Sequence, residues 1–237
     1  MPNTIDPDAA IKHLAAADPV MAGIISSVGA FDMRSDDADP FRSLSRAIVY
    51  QQLSGKAAGT IFGRFLALFA AGDGHDPEVR RTDPTWTPLE TPFPAPAQVL
   101  GLDDETLRSV GLSRQKVASL RSLSEHFASG ELGSEALDHW EDEEIIAHLT
   151  RVRGIGRWTA EMFLMFHMRR ADVLPMNDVG INRAVGRQYG LPGFATGDDI
   201  RRIGDAWRPH ATVACWYLWR SEDVRLLTDA VAAPSSP

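Results

Sequence analysis

Leu149-Thr150-Arg151-Val152-Arg153-Gly154-Ile155-Gly156-Arg157-Trp158-Thr159-Ala160-Glu161 is the stretch that decides the fold of this chain. From Glu141 to Arg151 apolar residues recur at helical spacing and stop at Gly154, and a second apolar helix starts directly after Gly156. Two glycines around the single apolar Ile155 let the backbone reverse tightly. They also leave no side chain between the backbone N–H groups and an incoming ligand. The new helix presents unpaired N–H groups and the positive end of its dipole, which suits a phosphate. A Gly-x-Gly turn by itself only joins two helices; here Arg151, Arg153 and Arg157 flank it, and the combination points to phosphate binding.

Helical spacing persists outward from this hairpin. Phe41, Leu44 and Ile48, then Ile61, Phe65, Leu68 and Phe69, then Val117, Leu120 and Phe127 recur at three- and four-residue steps. No segment alternates with period two over the length of a strand. Leu102-Asp103-Asp104-Glu105 starts a short helix that ends at Gly111, and Ser113 caps the next, which runs to about Ser129. Ala71 to Pro96 is rich in proline and glycine and reads as a long irregular surface connection. The tail from Ala232 to Pro237 has the composition of a disordered segment. The chain is therefore expected to be all-α, with about ten helices.

At 237 residues the length allows one large domain or two small ones. A single cysteine, Cys215, excludes an intramolecular disulfide, a cysteine-rich zinc site and a cysteine-held iron–sulfur cluster. No stretch is apolar enough to span a bilayer, and the first residues lack the layout of a signal peptide; the expected location is the cytoplasm, with no membrane partner. The formal net charge of −8 argues against a general affinity for polyanions. Its distribution is uneven: residues 150–220 hold 11 arginines against six acids, a sum of +5, while the other 166 residues sum to −13. Two readings stay open at this point, helix surfaces that simply alternate in charge or a local anion-binding face.

A second informative segment is Arg170-Ala171-Asp172-Val173-Leu174-Pro175-Met176-Asn177-Asp178-Val179-Gly180-Ile181. Pro175 holds its predecessor extended, and Asn177 or Asp178 then stands at the start of a helix that runs to Tyr189 and stops at Gly190. An acid there is ordinarily a cap, worth about 1 kcal/mol. Asp178 also lies 20 residues beyond Trp158, on the far side of one helix and one loop, which brings a carboxylate beside the hairpin.

Three motifs in order carry a resemblance. The hairpin Val152–Ala160, the segment Asp172-Val173-Leu174-Pro175-x-x-Asp178 and the upstream Ala47-Ile48-Val49-Tyr50-Gln51-Gln52-Leu53-Ser54 resemble the helix-hairpin-helix DNA glycosylases. Within them the chain is similar to the DNA-3-methyladenine glycosylase II family, over about residues 40–220. The resemblance implies two helical subdomains with a cleft between them. Residues 40–168 form one, ending in the hairpin; residues 1–39 plus 169–237 form the other, carrying Asp178. It leaves no room for the extra N-terminal β domain of some members.

The implied activity is release of alkylated bases, of the 3-methyladenine and 7-methylguanine type, from damaged double-stranded DNA by a monomer that needs no cofactor. Hydrolysis of the bond between base and sugar would leave an abasic site for base excision repair. Asp178 matches the family's catalytic aspartate: a fixed carboxylate stabilises the oxocarbenium-like sugar and orients the attacking water. Strand-cutting members carry a lysine nucleophile where this chain has Trp158, and an indole cannot form a Schiff base, so a monofunctional enzyme is implied. A cationic alkylated base stacks well on such a face; the alternative is an ordinary core tryptophan.

The family's pocket positions map to Trp158, Tyr50, Met162 and His210. Met162 replaces a tyrosine and His210 a tryptophan or tyrosine, which implies a less aromatic pocket open to bulkier or neutral lesions; for His210 a plain surface histidine is the alternative. Gln52 first and Leu53 second match the wedge that fills the gap left by a flipped base, against the reading of a frayed helix end. Lys56, just beyond, is a phosphate contact or a solvated lysine. Arg153, Gly154, Ile155, Gly156, Arg157 and Thr159 would grip the backbone. Some members also hold a monovalent cation on carbonyls matching Thr150, Val152 and Ile155. A non-catalytic DNA-binding protein, in which Asp178 only caps its helix, is the rival reading.

Overall fold

The computed structural model describes residues 4–36, 39–69 and 93–232, apart from the side chains of 134, 135 and 224–232. The irregular connection expected from residue 71 lies outside the described residues up to 92, as does the tail from 233. The described residues are all-α, with a lone bridge between Thr4 and Arg170 and no strand among them. They divide into two compact units, residues 1–36 with 161–237, and residues 37–160. No described helix is long and apolar enough to cross a membrane.

The first unit opens with α1 (Pro7–Ala17) and α2 (Pro19–Val28). Asp18 ends one and caps the other, its Oδ1 accepting from the Val20 and Met21 N–H groups, while Pro19 supplies a helical φ with no N–H to satisfy.

The second unit comprises α3 (Pro40–Tyr50), α4 (Gly55–Ala67), α5 (Pro96–Gly101), α6 (Asp104–Ser109), α7 (Arg114–Ala128), α8 (Ser134–His139) and α9 (Asp142–Leu149). Side-chain caps set most of these starts: Asp39 for α3, Ser54 for α4, Asp103 for α6 and Ser113 for α7. The expected apolar stripes face inward. Phe41, Leu44 and Ile48 of α3, Phe62 and Phe65 of α4, and Val117 and Leu120 of α7 are buried, while Ile61, Leu68, Phe69 and Phe127 sit half-buried at the rim. Phe93 joins this core, its ring 5.4 Å from Phe41 and 6.1 Å from Phe62. The fully buried rings of Phe41, Phe62 and Phe65 each contribute about 1.5–3 kcal/mol.

The helix α10 (Arg157–Phe166) contributes its first four residues to the second unit and the rest to the first. The first unit then continues through α11 (Val179–Gln188), α12 (Gly197–Gly204), a 3-10 turn at Asp205–Trp207 and α13 (Ala211–Ala232). Thirteen α-helices among the described residues exceed the ten expected. The excess includes α5 and α8, six residues each, too short for a 3.6-residue period to show, whereas the equally short α6 was marked by its Asp103 cap.

Asp18 also organises the interior of its unit. Its Oδ2 accepts from the Trp207 indole N–H at 3.0 Å and from the Tyr189 hydroxyl, tying the α1–α2 joint to the end of α11 and to the 3-10 turn. Burial pushes the Asp18 carboxyl up, but the Tyr189 and Trp207 donors, with the Met21 and Val20 N–H groups, bring it below its ordinary value. Burial and the adjacent Asp18 in turn push the Tyr189 phenol up.

Asp18→Asn keeps the shape and removes the charge. It should cost about 2 kcal/mol in urea unfolding at neutral pH, the scale of hydrogen bonds to an ionised group. A carboxyl depressed on folding stabilises above the ordinary carboxylate range, and that contribution is lost as the pH falls through the folded value. The difference between the two proteins should therefore close in acid; a constant gap would show that the charge is irrelevant to the network.

Candidate nucleic-acid interface and active site

The hairpin is built by one glycine that packing demands and one that it does not. The α9 helix ends at Thr150, whose hydroxyl donates back to the Ile146 carbonyl at 2.8 Å. The chain turns through Val152, 1% exposed, into Gly154 at φ +82°, a left-handed conformation that favours glycine. A Cβ there would stand 2.4 Å from Ser119 Oγ on α7, so Gly154 is required by its neighbour as well. Ile155 anchors the turn, 4% exposed. At Gly156 a Cβ would meet nothing within 4 Å, so this glycine leaves open space over the start of α10, where the Ala160 N–H makes its bond to the Gly156 carbonyl.

Trp158 stands in the first turn of α10 with 48% of its surface exposed, unlike a core tryptophan, and Thr159 beside it is buried. Met162, one turn on, is half-buried. Tyr50 is also half-buried, with the Arg46 guanidinium 4.4 Å above its ring and Phe62 at its edge. Of the carbonyls considered for a monovalent cation, Val152 accepts the Ile155 N–H, whereas Thr150 and Ile155 accept from no described donor. Hard, neutral oxygens of that kind suit such an ion.

The arginines are less available than a count along the chain implies. Arg157 makes a two-pronged pair with Glu143, and this guanidinium, outweighing partial burial, holds the Glu143 carboxyl below its ordinary value. Arg151 pairs with Glu131 at 2.9 Å. Burial pushes the Glu131 carboxyl up, but His148, Arg151 and His126 together bring it down. Arg153 has no carboxylate within ion-pair distance among the described residues, and its N–H donates to Ser122 Oγ. Of the 11 arginines in 150–220, at least seven pair with described carboxylates: 151, 157, 187, 201, 202, 208 and 220. Glu131, Glu143, Glu222 and Asp223 come from outside that window, so the +5 overstates the free positive charge. Exposed pairs are worth about 0–1 kcal/mol each, and a phosphate can replace the carboxylate.

The segment after α3 is an organised turn. Gln51 caps α3 and its side-chain N–H donates to the Gly154 carbonyl at 2.9 Å. Lys116 on α7 donates to the Val49 and Gln51 carbonyls, and burial lowers the pKa of its ammonium. Between these anchors Gln52 is exposed at φ +58°, unusual for a residue with a Cβ. Leu53 follows, 39% exposed, with its N–H on the Tyr50 carbonyl, before Ser54 caps α4; Lys56 is exposed.

Asp178 is 7% exposed and caps α11. Its Oδ1 accepts from the Ile181 N–H at 2.8 Å and from the Trp219 indole N–H at 2.9 Å. Val179 beside it is 59% exposed, so the acid lies just beneath the surface of its unit. His210 follows the cis Arg208–Pro209 bond and is half-buried rather than a plain surface residue, its ring 5.3 Å from His13. Burial and His13 lower its pKa, against the opposing pull of Asp172 and Asp6. His210 Nδ1 is buried and has no hydrogen-bond partner among the described residues. The expected pocket residues are thus divided, Tyr50 and Trp158 in one unit, Met162 and His210 in the other, which also carries the expected catalytic Asp178.

Over residues 45–209 the chain matches the family model described as HhH-GPD superfamily base excision DNA repair protein. It belongs to the HhH-GPD superfamily. It is 31% identical to DNA-3-methyladenine glycosylase 1 of Schizosaccharomyces pombe, over 92% of this chain and 89% of that protein. Among solved structures it is similar to the S. pombe 3-methyladenine DNA glycosylase in complex with abasic DNA, with a TM-score of 0.72 and 31% identity, covering 91% of this chain and 97% of that one. It is also similar to a DNA-3-methyladenine glycosidase from Bacillus halodurans, with a TM-score of 0.75 and 32% identity over 94% and 92% of the two chains.

This HhH-GPD chain carries three site features that its motifs did not reveal: the Gln51 tie to the hairpin, the Lys116 anchor and the Trp219 donor. Each joins residues far apart in the chain, and none has a local pattern. The two hairpin glycines separate cleanly by stability. Gly154→Ala should cost about 2–4 kcal/mol, combining a left-handed Cβ with overpacking on Ser119. Gly156→Ala should stay within about 0.5 kcal/mol, as expected for an open position. Equal losses in chemical denaturation would contradict this packing.

Proposed function

We propose that this protein is a monofunctional DNA glycosylase that removes alkylated bases such as 3-methyladenine from duplex DNA. The observation that carries the reading is the Asp178 carboxylate, held by two N–H donors at the start of α11 in a chain of a base-excision repair superfamily. Support comes from relatives named DNA-3-methyladenine glycosylases and from the S. pombe structure with abasic DNA, the product that base removal leaves.

Chemically, the bond between C1′ and the base nitrogen breaks with its electron pair going to the base, so a cationic alkylated base departs neutral. Asp178 stabilises the positive charge left on the sugar and orients the water whose oxygen bonds to C1′; the proton that water loses passes to the carboxylate or to solvent. Trp158 offers no amine, so no Schiff base forms and the strand stays intact. Its exposed face suits stacking on a cationic base, and Tyr50, Met162 and His210 are the further recognition residues of this reading. Because Met162 is not aromatic and His210 carries only a small imidazole, acceptance extends to bulkier or neutral lesions.

The N–H groups of the hairpin at Gly154–Thr159 hold the DNA backbone, with Arg153 and Arg157 adding charge. A monovalent cation on the Thr150 and Ile155 carbonyls would reinforce that grip. Gln52, with Leu53 next to it, fills the gap left by the extruded nucleotide. The protein acts as a monomer and needs no organic cofactor. With most hairpin charge already paired, non-specific affinity is modest and salt-sensitive.

Incubation with methylated duplex should release methylated base, and strand breaks should appear only after alkali. Asp178→Asn should retain lesion binding while base release falls by about 10²–10⁴-fold. Normal release by this variant would overturn the mechanism. Equal binding of damaged and undamaged DNA by the parent protein, with no abasic product, would favour a non-catalytic binding protein instead.

A further inference from the structure

We propose that Trp219 is a positioning residue for base release, its indole N–H fixing the rotation of the Asp178 carboxylate. The proposal rests on the reading of Asp178 as the glycosylase acid. The torsion that turns an aspartate carboxylate is broad and sets no single orientation. One hydrogen bond from the Ile181 N–H satisfies helix capping but leaves the group free to pivot about that bond. A second donor from another helix reaches the same oxygen: Trp219 Nε1, on α13, lies 2.9 Å from Asp178 Oδ1. Two donors on Oδ1 from different directions define the plane of the carboxylate and hence the direction of Oδ2.

The surroundings are shaped for this contact. Gly180 occupies the first turn of α11, where alanine would favour the helix more. A Cβ on Gly180 would stand 3.0 Å from Trp219 Cδ1, 3.1 Å from its Nε1 and 3.0 Å from Asp178 Oδ1. The missing side chain is the space through which the indole edge reaches the acid. On its other side the indole lies near-parallel to Phe166, with centroids 6.0 Å apart and planes at 21°, so the ring is held as well as aimed. An indole N–H can only donate, which makes it suited to orient an acceptor. All four residues belong to one compact unit.

The test compares single-turnover release of 3-methyladenine with lesion-duplex affinity. Trp219→Phe keeps a ring and removes the donor; release should slow by about 10–100-fold, the scale on which loss of an orienting partner acts, with affinity unchanged. Gly180→Ala keeps the tryptophan but crowds its edge; release should slow about tenfold while lesion-duplex affinity and the helical circular-dichroism signal at the assay temperature stay at the parent's. That combination separates positioning from structural damage. In an Asp178→Asn background Trp219→Phe should change the residual rate little, because its effect passes through the acid.

Normal release by both single variants, with Asp178→Asn inactive, would overturn the positioning role and leave the glycosylase reading intact. An unchanged factor in the Asp178→Asn background would overturn it too, since Trp219 would then act elsewhere. Normal release by Asp178→Asn itself would remove both.

Discussion

A Cβ at Gly154 would meet Ser119 Oγ at 2.4 Å, and the organisation of the 37–160 unit around its candidate site depends on that close approach. With no side chain, the turn lies directly on α7 and its carbonyl is available to the Gln51 amide. The same α7 helix sends Lys116 to the Val49 and Gln51 carbonyls. The α7 helix thus sets the position of both the hairpin turn and the exposed Gln52–Leu53 segment. The proposed phosphate grip and wedge would need a constant spacing to act on one nucleotide, and a shared helix is a stiffer reference than either loop.

Two carboxylates in the other unit illustrate how similar chemistry serves different ends. Asp18 and Asp178 each cap a helix and each accept an indole N–H, from Trp207 and Trp219. In Asp18 the donors are spread over both oxygens, two backbone N–H groups on Oδ1 and the Tyr189 and Trp207 donors on Oδ2. Such a carboxylate is a fastener, exchanging solvation for fixed donors. In Asp178 the Ile181 and Trp219 donors converge on Oδ1, and Val179 beside it is exposed. That arrangement fixes one oxygen of an acid near the surface of its unit, as the role proposed for Asp178 would require.

Charge follows the same lesson of partners. Residues 150–220 carry eleven arginines, but Arg151 and Arg157 beside the hairpin meet Glu131 and Glu143 from the preceding acidic region. Neither acid can be foreseen as a partner from its place in the chain, because helices α7 to α9 fold the acidic region alongside the basic one. The positive charge beside the hairpin is therefore largely compensated, which leaves little long-range attraction.

The helical class, the hairpin turn, the Asp178 cap and the helix starts at Asp103, Ser113 and Glu141 were legible from residue types and spacing. Their causes are local: a capping oxygen reaches an N–H three residues on, and an apolar period shows within a dozen residues. Short helices such as α5 and α8 were not legible, being too brief for a period. Tertiary structure alone decided that Gln51 bonds to Gly154, 103 residues away, and that Trp219 bonds to Asp178 across 41. It also decided that Gly156 is open and Gly154 closed, although both are glycines of one turn. The physical reason is that a donor finds its distant acceptor only when packing of apolar helix faces brings the two together, and that packing leaves no mark on the residues adjacent to either.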